Sequence, residues 1–106
     1  MTLPAGILVS ALLRRMNDTG GFAAVLAKGD AQAGSILLVT SATGTEYRIL
    51  ERGIGPDGRT GLIDSTPSDD VTAYWERRRR SDPDMWVLEL VGADAERFAA
   101  ETIITD

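Results

Sequence analysis

The sequence predicts an α+β fold: a mainly antiparallel sheet of about four to five strands with two to three helices packed on one face. Three observations lead there. Apolar residues near the start recur with a helical period. Several later segments are short, apolar or alternating, and bounded by glycine or proline. The connections between the early strands are too short for helical crossovers, which favours antiparallel pairing. At 106 residues the chain has the length of one domain, so a single α+β domain over residues 1–106 is expected.

Ala5, Leu8, Val9, Leu12, Leu13 and Met16 share one face of a helix running from about Pro4 to Asp18. Pro4 suits the first turn, where a missing N–H costs nothing, and Gly20-Gly21 supplies the stop. Ser10, Arg14 and Asn17 fall on the solvent side. Phe22 to Lys28 reads as a strand, although its alanines also suit a helix. Ser35 to Ser41 carries Ile36-Leu37-Leu38-Val39, a run typical of a strand covered on both faces. Gly29 to Gly34 between them reads as a hairpin loop.

A turn at Ala42-Thr43-Gly44 leads to a third strand, Thr45 to Arg52. Gly53 to Gly58 is a loop built on a Pro-Asp-Gly turn, and Arg59 to Ile63 reads as a short fourth strand. Thr66-Pro67-Ser68-Asp69 matches a helix start, with threonine as cap and proline at the first position. That helix is expected to run to about Arg80 and to end at Ser81-Asp82-Pro83, since the residue before a proline avoids the α region. Met85 to Val91 is the clearest strand, with Trp86, Leu88 and Leu90 on one side and Val87 and Glu89 on the other. Asp94 can cap a short helix, Ala95 to Glu101, anchored by Phe98; Thr102 to Thr105 is strand-like, either an ordered edge or a frayed tail.

Composition excludes much chemistry. The chain has no cysteine and no histidine. Disulfides, thiolate nucleophiles, imidazole bases, serine triads with histidine and the common zinc sites are therefore closed to it. Lys28 is the single lysine. No apolar run approaches the ~20 residues of a membrane span, and the first residues lack the basic region of a secretory signal. A soluble, cytoplasmic protein is expected. The net charge of −5 disfavours nucleic acid as a partner, because such affinity rests on neutralising phosphates. The charge is uneven: Arg77-Arg78-Arg79-Arg80 precedes a segment in which Arg97 is the one basic residue.

The arginine run is the feature best able to discriminate between functions. Residues at ~100° steps fan around a helix, so four in a row cannot share one face. Arg77 and Arg80 can, and Glu76 sits where it would pair with Arg80. Arg78 continues the apolar side of Val71, Tyr74 and Trp75, so a structural role laid over the core and paired to a carboxylate is expected; Arg77 and Arg79 are expected to be more exposed. Asp82 and Asp84 resemble a metal-binding pair, but Asp-Pro-Asp more simply stops a helix and launches a strand. Gly53, Gly55 and Gly58 have dinucleotide-fingerprint spacing without the following helix that would take the pyrophosphate. Trp75 and Trp86 read as core, since each ring buries ~150–250 Å² and a small domain needs that area. Ser65 and Ser68 have no base nearby in sequence.

Several phrases carry a family resemblance. They are Ala11-Leu12-Leu13-Arg14-Arg15, the stretch from Gly21 to Asp30, Ala33-Gly34, Tyr74-Trp75-Glu76-Arg77, and Arg80-Ser81-Asp82-Pro83-Asp84-Met85-Trp86-Val87. Together they resemble a family of short bacterial proteins known as domain of unknown function 1491. The Arg-x-Asp-Pro-Asp-x-Trp-Val phrase is the most specific, and Tyr47 to Asp70 carries nothing familiar. The resemblance implies one domain and brings no activity, cofactor or catalytic residue.

The leading functional expectation is a non-enzymatic interaction or accessory module whose partner is another protein, with no cofactor and no metal. Arg14, Arg77, Arg79 and Arg80 are its candidate partner-binding residues; Arg78, Asp82, Asp84, Trp75 and Trp86 are candidate structural residues. The alternative is a weak nucleic-acid or phosphate-ligand binder using Arg14, Arg15, Arg77, Arg79 and Arg80. A third reading, an enzyme working with carboxylates alone, requires a deep pocket holding two of them within about 10 Å.

Overall fold

In the computed structural model, which describes residues 3–104, the chain runs α1 (Ala5–Asp18), β1 (Phe22–Ala27), β2 (Ile36–Ser41), β3 (Arg48–Ile54), β4 (Thr60–Asp64), α2 (Val71–Ser81), β5 (Trp86–Val91) and α3 (Ala95–Ile103). The five strands form one sheet in the order β1-β5-β2-β3-β4. β1 with β5, β2 with β3, and β3 with β4 are antiparallel, whereas β2 and β5 are parallel. The fold is therefore α+β with a mostly antiparallel sheet. The parallel pair is the product of the longest connection, β3-β4-α2, which carries the chain back to lay β5 beside β2.

β5 and β2 are the most apolar strands and are interior neighbours in the sheet, where both faces are covered. On one face Leu38, Leu50, Trp86, Leu88 and Leu90 pack with Ala5, Val9, Leu12 and Met16 of α1 and with Ala95, Phe98, Ala99 and Ile103 of α3. On the other, Leu37, Val39, Ile49, Met85 and Val87 pack with Val71, Tyr74 and Trp75 of α2. The helices thus divide two to one between the faces. The separation follows from the double-sided apolar pattern of β2 and β5, since one layer of helices would leave Leu37, Val39 and Val87 in water.

The segment between β1 and β2 differs from the expected hairpin. β5 lies between those strands, so residues 28–35 cross over its start. The peptide N–H of Asp30 donates to the Asp84 carbonyl at 2.9 Å, Trp86 N–H to the Ser35 carbonyl at 2.8 Å, and the Trp86 indole N–H to the Asp30 carbonyl at 2.8 Å. The crossing is close: a Cβ on either Gly29 or Gly34 would lie 2.3 Å from the Asp84 carbonyl oxygen. The same loop supplies carbonyls to the open start of α1, taking the N–H of Ala5 through Gln32 at 3.2 Å and of Gly6 through Ala31 at 2.9 Å.

Three other boundaries shift. β3 begins three residues after the expected Thr45 and includes Gly53 and Ile54, and the turn closes by Gly55 N–H donating to the Arg59 carbonyl at 2.9 Å. Gly53 through Gly58 therefore lies on a β3–β4 hairpin, and the element that follows it directly is a strand and not a helix. The cap of α2 is Asp70, whose carboxylate accepts from Ala73 N–H at 3.1 Å. Thr66 is already engaged: its hydroxyl accepts from Ile49 N–H at 2.9 Å and donates to Asp64, which ties the end of β4 to β3. At the C-terminal end Thr102 and Ile103 complete α3, because Ile103 packs in the core beside Phe98; Thr105 of the strand-like segment lies outside the described residues.

Candidate functional site

The arginine run does not form one patch. The guanidinium of Arg78 donates to both carboxylate oxygens of Glu51 on β3, at 2.8 and 2.9 Å, and to the Tyr74 hydroxyl at 2.8 Å. Ser65 donates to the same carboxylate at 2.5 Å. The bonds from Arg78, then that from Ser65, hold Glu51 below the usual carboxylate range against a burial that pushes it up. The same pairing raises the Arg78 guanidinium. Arg79 is half-buried rather than exposed, because the last turn of α2 leans on the crossing loop; one terminal nitrogen donates to the Lys28 carbonyl at 2.9 Å, and its Nε is buried with no partner among the described residues. Arg77 and Arg80 are exposed, and Arg77 stands over the Tyr74 ring at 5.7 Å. Among the described residues Glu76 and Arg80 do not meet in an ion pair. Arg14 is on α1, across the sheet from α2, so it cannot join Arg77 and Arg80 in one surface. Arg15 stacks 4.1 Å over Phe98 and pairs with Glu101, joining α1 to α3.

Asp82 accepts from Asp84 N–H at 3.2 Å and from the Ser35 hydroxyl at 3.4 Å, so it shapes the turn into β5. Asp84 acts through its carbonyl, which the crossing loop uses. Among the described residues no group of three or more acidic side chains is gathered in a way that could hold a metal ion. Trp86 is buried under α1 and α3, whereas Trp75 is half-buried on the other face.

Two concavities stand out among the described residues. A groove of about 490 Å³ lies between the start of α1, Ile103 of α3 and the β3–β4 hairpin; Leu3 and Ile54 stand exposed on its walls at 48% and 68%, and its acidic lining residue, Glu51, is committed to Arg78. A hollow of about 350 Å³ on the α2 face is lined by Leu26, Val39, Tyr47, Val71, Trp75 and others, with Glu89 as its acidic residue. Glu89 accepts from the Tyr47 hydroxyl at 2.8 Å. That hydrogen bond, then burial, then the charge of Glu89, raises the Tyr47 hydroxyl above its ordinary value. Neither concavity brings two carboxylates together.

The hollow reaches β1, an edge strand, through Leu26. Its sequence, Phe-Ala-Ala-Val-Leu-Ala, contains no charge, and Phe22, Val25 and Leu26 are exposed at 53%, 42% and 38%. Edge strands are usually protected by charge, proline or a bulge. β1 has only a bulge, between Val25 and Ala27, which leaves Phe22–Val25 regular. The other edge, β4, carries Asp64, which the Thr66 hydroxyl and N–H, then Arg48, pull down to about 2. Sequence reasoning missed β1 as an edge and missed Glu89 and Tyr47 as neighbours. One signal was available for Glu89: it is the sole charge inside the otherwise apolar Met85 to Val91.

The sequence model of the family described as "Protein of unknown function (DUF1491)" matches residues 3–100. Among solved structures, the chain is similar to a DUF1491 family protein from Caulobacter crescentus CB15 determined by crystallography, with 36% identity over 91% of this chain and 94% of that one and a TM-score of 0.77. It is similar to a DUF1491 family protein from the same organism determined by NMR, with 37% identity over 92% and 93% and a TM-score of 0.72. It is also similar to protein Atu0922 from A. tumefaciens, in a solution structure with 28% identity over 86% of each chain and a TM-score of 0.68. No curated protein matches the chain.

Proposed function

The chain belongs to the DUF1491 family, and from that premise, which brings no activity with it, we propose that it is a non-enzymatic interaction module that binds an extended segment of another protein along the outer edge of β1. The observation that carries this reading is the uncharged, apolar edge strand with its exposed Phe22, Val25 and Leu26. An unpaired edge offers backbone N–H and C=O groups in the geometry a further strand requires, and exposed apolar side chains on both faces add burial to those hydrogen bonds. The arginines favour this reading over polyanion binding: Arg78 and Arg79 are engaged within the fold, and Arg14 lies across the sheet from Arg77 and Arg80. No helix of the described residues is long and apolar enough to cross a membrane, and a chain without cysteine suits a cytoplasmic site of action.

The test compares partner recovery by the parent with recovery by Phe22→Lys/Val25→Lys and by Arg77→Ala/Arg80→Ala. A protein bound by the parent and by the arginine variant, but lost from the β1 variant, is the expected result. Retention of all partners by the β1 variant, or salt-sensitive nucleic-acid binding lost with the arginines, would sink the reading. Sedimentation over a range of concentrations separates docking of another protein from self-pairing of β1, which would give a dimer.

A further inference from the structure

Glu89 is a carboxylate in a largely apolar hollow, and among the described residues no cation pairs with it. Among the described residues its hydrogen-bond partner is the Tyr47 hydroxyl, and it forms no ion pair. The walls around it, Leu26, Val39, Val71 and Trp75, are apolar or aromatic. Such a combination accommodates a cation on an apolar stem: the carboxylate neutralises the charge, while the indole and the aliphatic walls cover the stem.

The register of the sheet shows where that cation would come from. Ala24 of β1 is paired opposite Glu89 of β5, so both project on the α2 face. A strand added outside β1 would place one of its residues opposite Ala24, on the same face. Only the methyl group of Ala24 would then lie between that residue and Glu89. The new strand would sit two strand spacings from β5, about 10 Å. A lysine or arginine side chain spans about 6–7 Å from its Cα, and a glutamate about 4 Å from its own, so the two ends meet across Ala24. Any larger side chain at position 24 would block the path. The net charge of −5 draws basic partners to the molecule in general; Glu89 gives that attraction an address.

We propose that the Glu89 hollow is a specificity pocket for a lysine or arginine side chain, presented by the extended partner segment at the position opposite Ala24. This deepens the edge-strand reading and rests on it for the partner, but the pocket itself can be probed alone.

Two probes separate them. The first is n-butylammonium, with n-butanol as the neutral control, followed through the Trp75 indole resonance. The second is a pair of capped seven-residue peptides of alternating valine and threonine, with lysine or norleucine at the centre, followed through the amide resonances of β1. The expected result is that butylammonium shifts Trp75 and butanol does not. The lysine peptide should bind at Phe22–Val25 about tenfold or more tightly than the norleucine peptide, and Glu89→Gln should abolish that difference. Glu89→Gln keeps an acceptor for Tyr47, and an unchanged melting temperature verifies that the fold is intact. Equal binding of the two peptides at β1 would overturn the pocket while leaving the edge standing. Binding of butylammonium without either peptide would retain the pocket and remove the edge. Indifference of Trp75 to butylammonium, in parent and variant alike, would overturn the pocket outright.

Discussion

Glu51 joins three segments through one carboxylate: β3 by its own backbone, α2 through Arg78, and the connection after β4 through Ser65. Arg78→Ala removes a two-pronged bond and leaves a half-buried carboxylate with Ser65 alone, so denaturant melts should show a loss of about 1–3 kcal/mol. Arg77→Ala, which is exposed, should cost at most about 0.5 kcal/mol. Equal, negligible losses would mean the pair is not structural. Acid titration provides an independent check. Glu51 is held below its ordinary value of 4.5 in the folded state, so its contribution is complete above that pH and fades as pH falls below it. Asp64 behaves likewise between 3.8 and about 2, although its exposure and solvent screening make its share smaller. Glu51→Gln should therefore flatten the acid limb of the stability curve; an unchanged limb would contradict the pairing. At this scale the sequence is legible only in part. Arg78 is found because it falls on the apolar stripe of its helix. Glu51 is not, because it lies 27 residues away and reads as one polar residue of an alternating strand.

At the scale of elements, the first helix and the central strands follow from apolar periodicity, since each buries a continuous face. Leu12 is fully buried between α1 and the sheet, and Leu12→Ala should cost about 2–5 kcal/mol in denaturant melts. The crossing loop is where local pattern fails. A short, glycine-bounded loop between two apolar strands has the same composition whether it turns a hairpin or passes over a third strand. What decides is Asp84–Trp86, some 50 residues later, whose backbone the loop must nearly touch. Gly34→Ala should therefore destabilise the fold by at least about 2 kcal/mol, since the added methyl meets the Asp84 carbonyl. Gly61→Ala, with open space around it, should change stability by less than about 0.5 kcal/mol. Equal effects at the two glycines would remove the close crossing from the account. The start of α2 carries the same lesson: a threonine-proline pair fits a cap, but β3 claims the Thr66 hydroxyl first, and the helix waits for Asp70.

For the whole molecule, the order β1-β5-β2-β3-β4 has two consequences. It places β5 inside the sheet next to the rim, which puts Glu89 on a second, partly covered face, and it leaves the uncharged β1 at the rim. Neither is visible along the chain, because strand order is set by which faces can be buried together and not by any local signal. Composition is legible in a way topology is not: the absence of histidine and cysteine can be read directly along the chain, whereas strand order cannot. The β1 edge is, in our proposal, what a partner strand extends. The most direct measurement of that claim is residue-resolved amide hydrogen exchange with and without the lysine-centred valine–threonine peptide. The account predicts slowed exchange confined to Phe22–Val25, with β4 and the last turn of α2 unchanged. Protection at Arg77 and Arg80, at the β4 edge, or at no residue of β1 would contradict it.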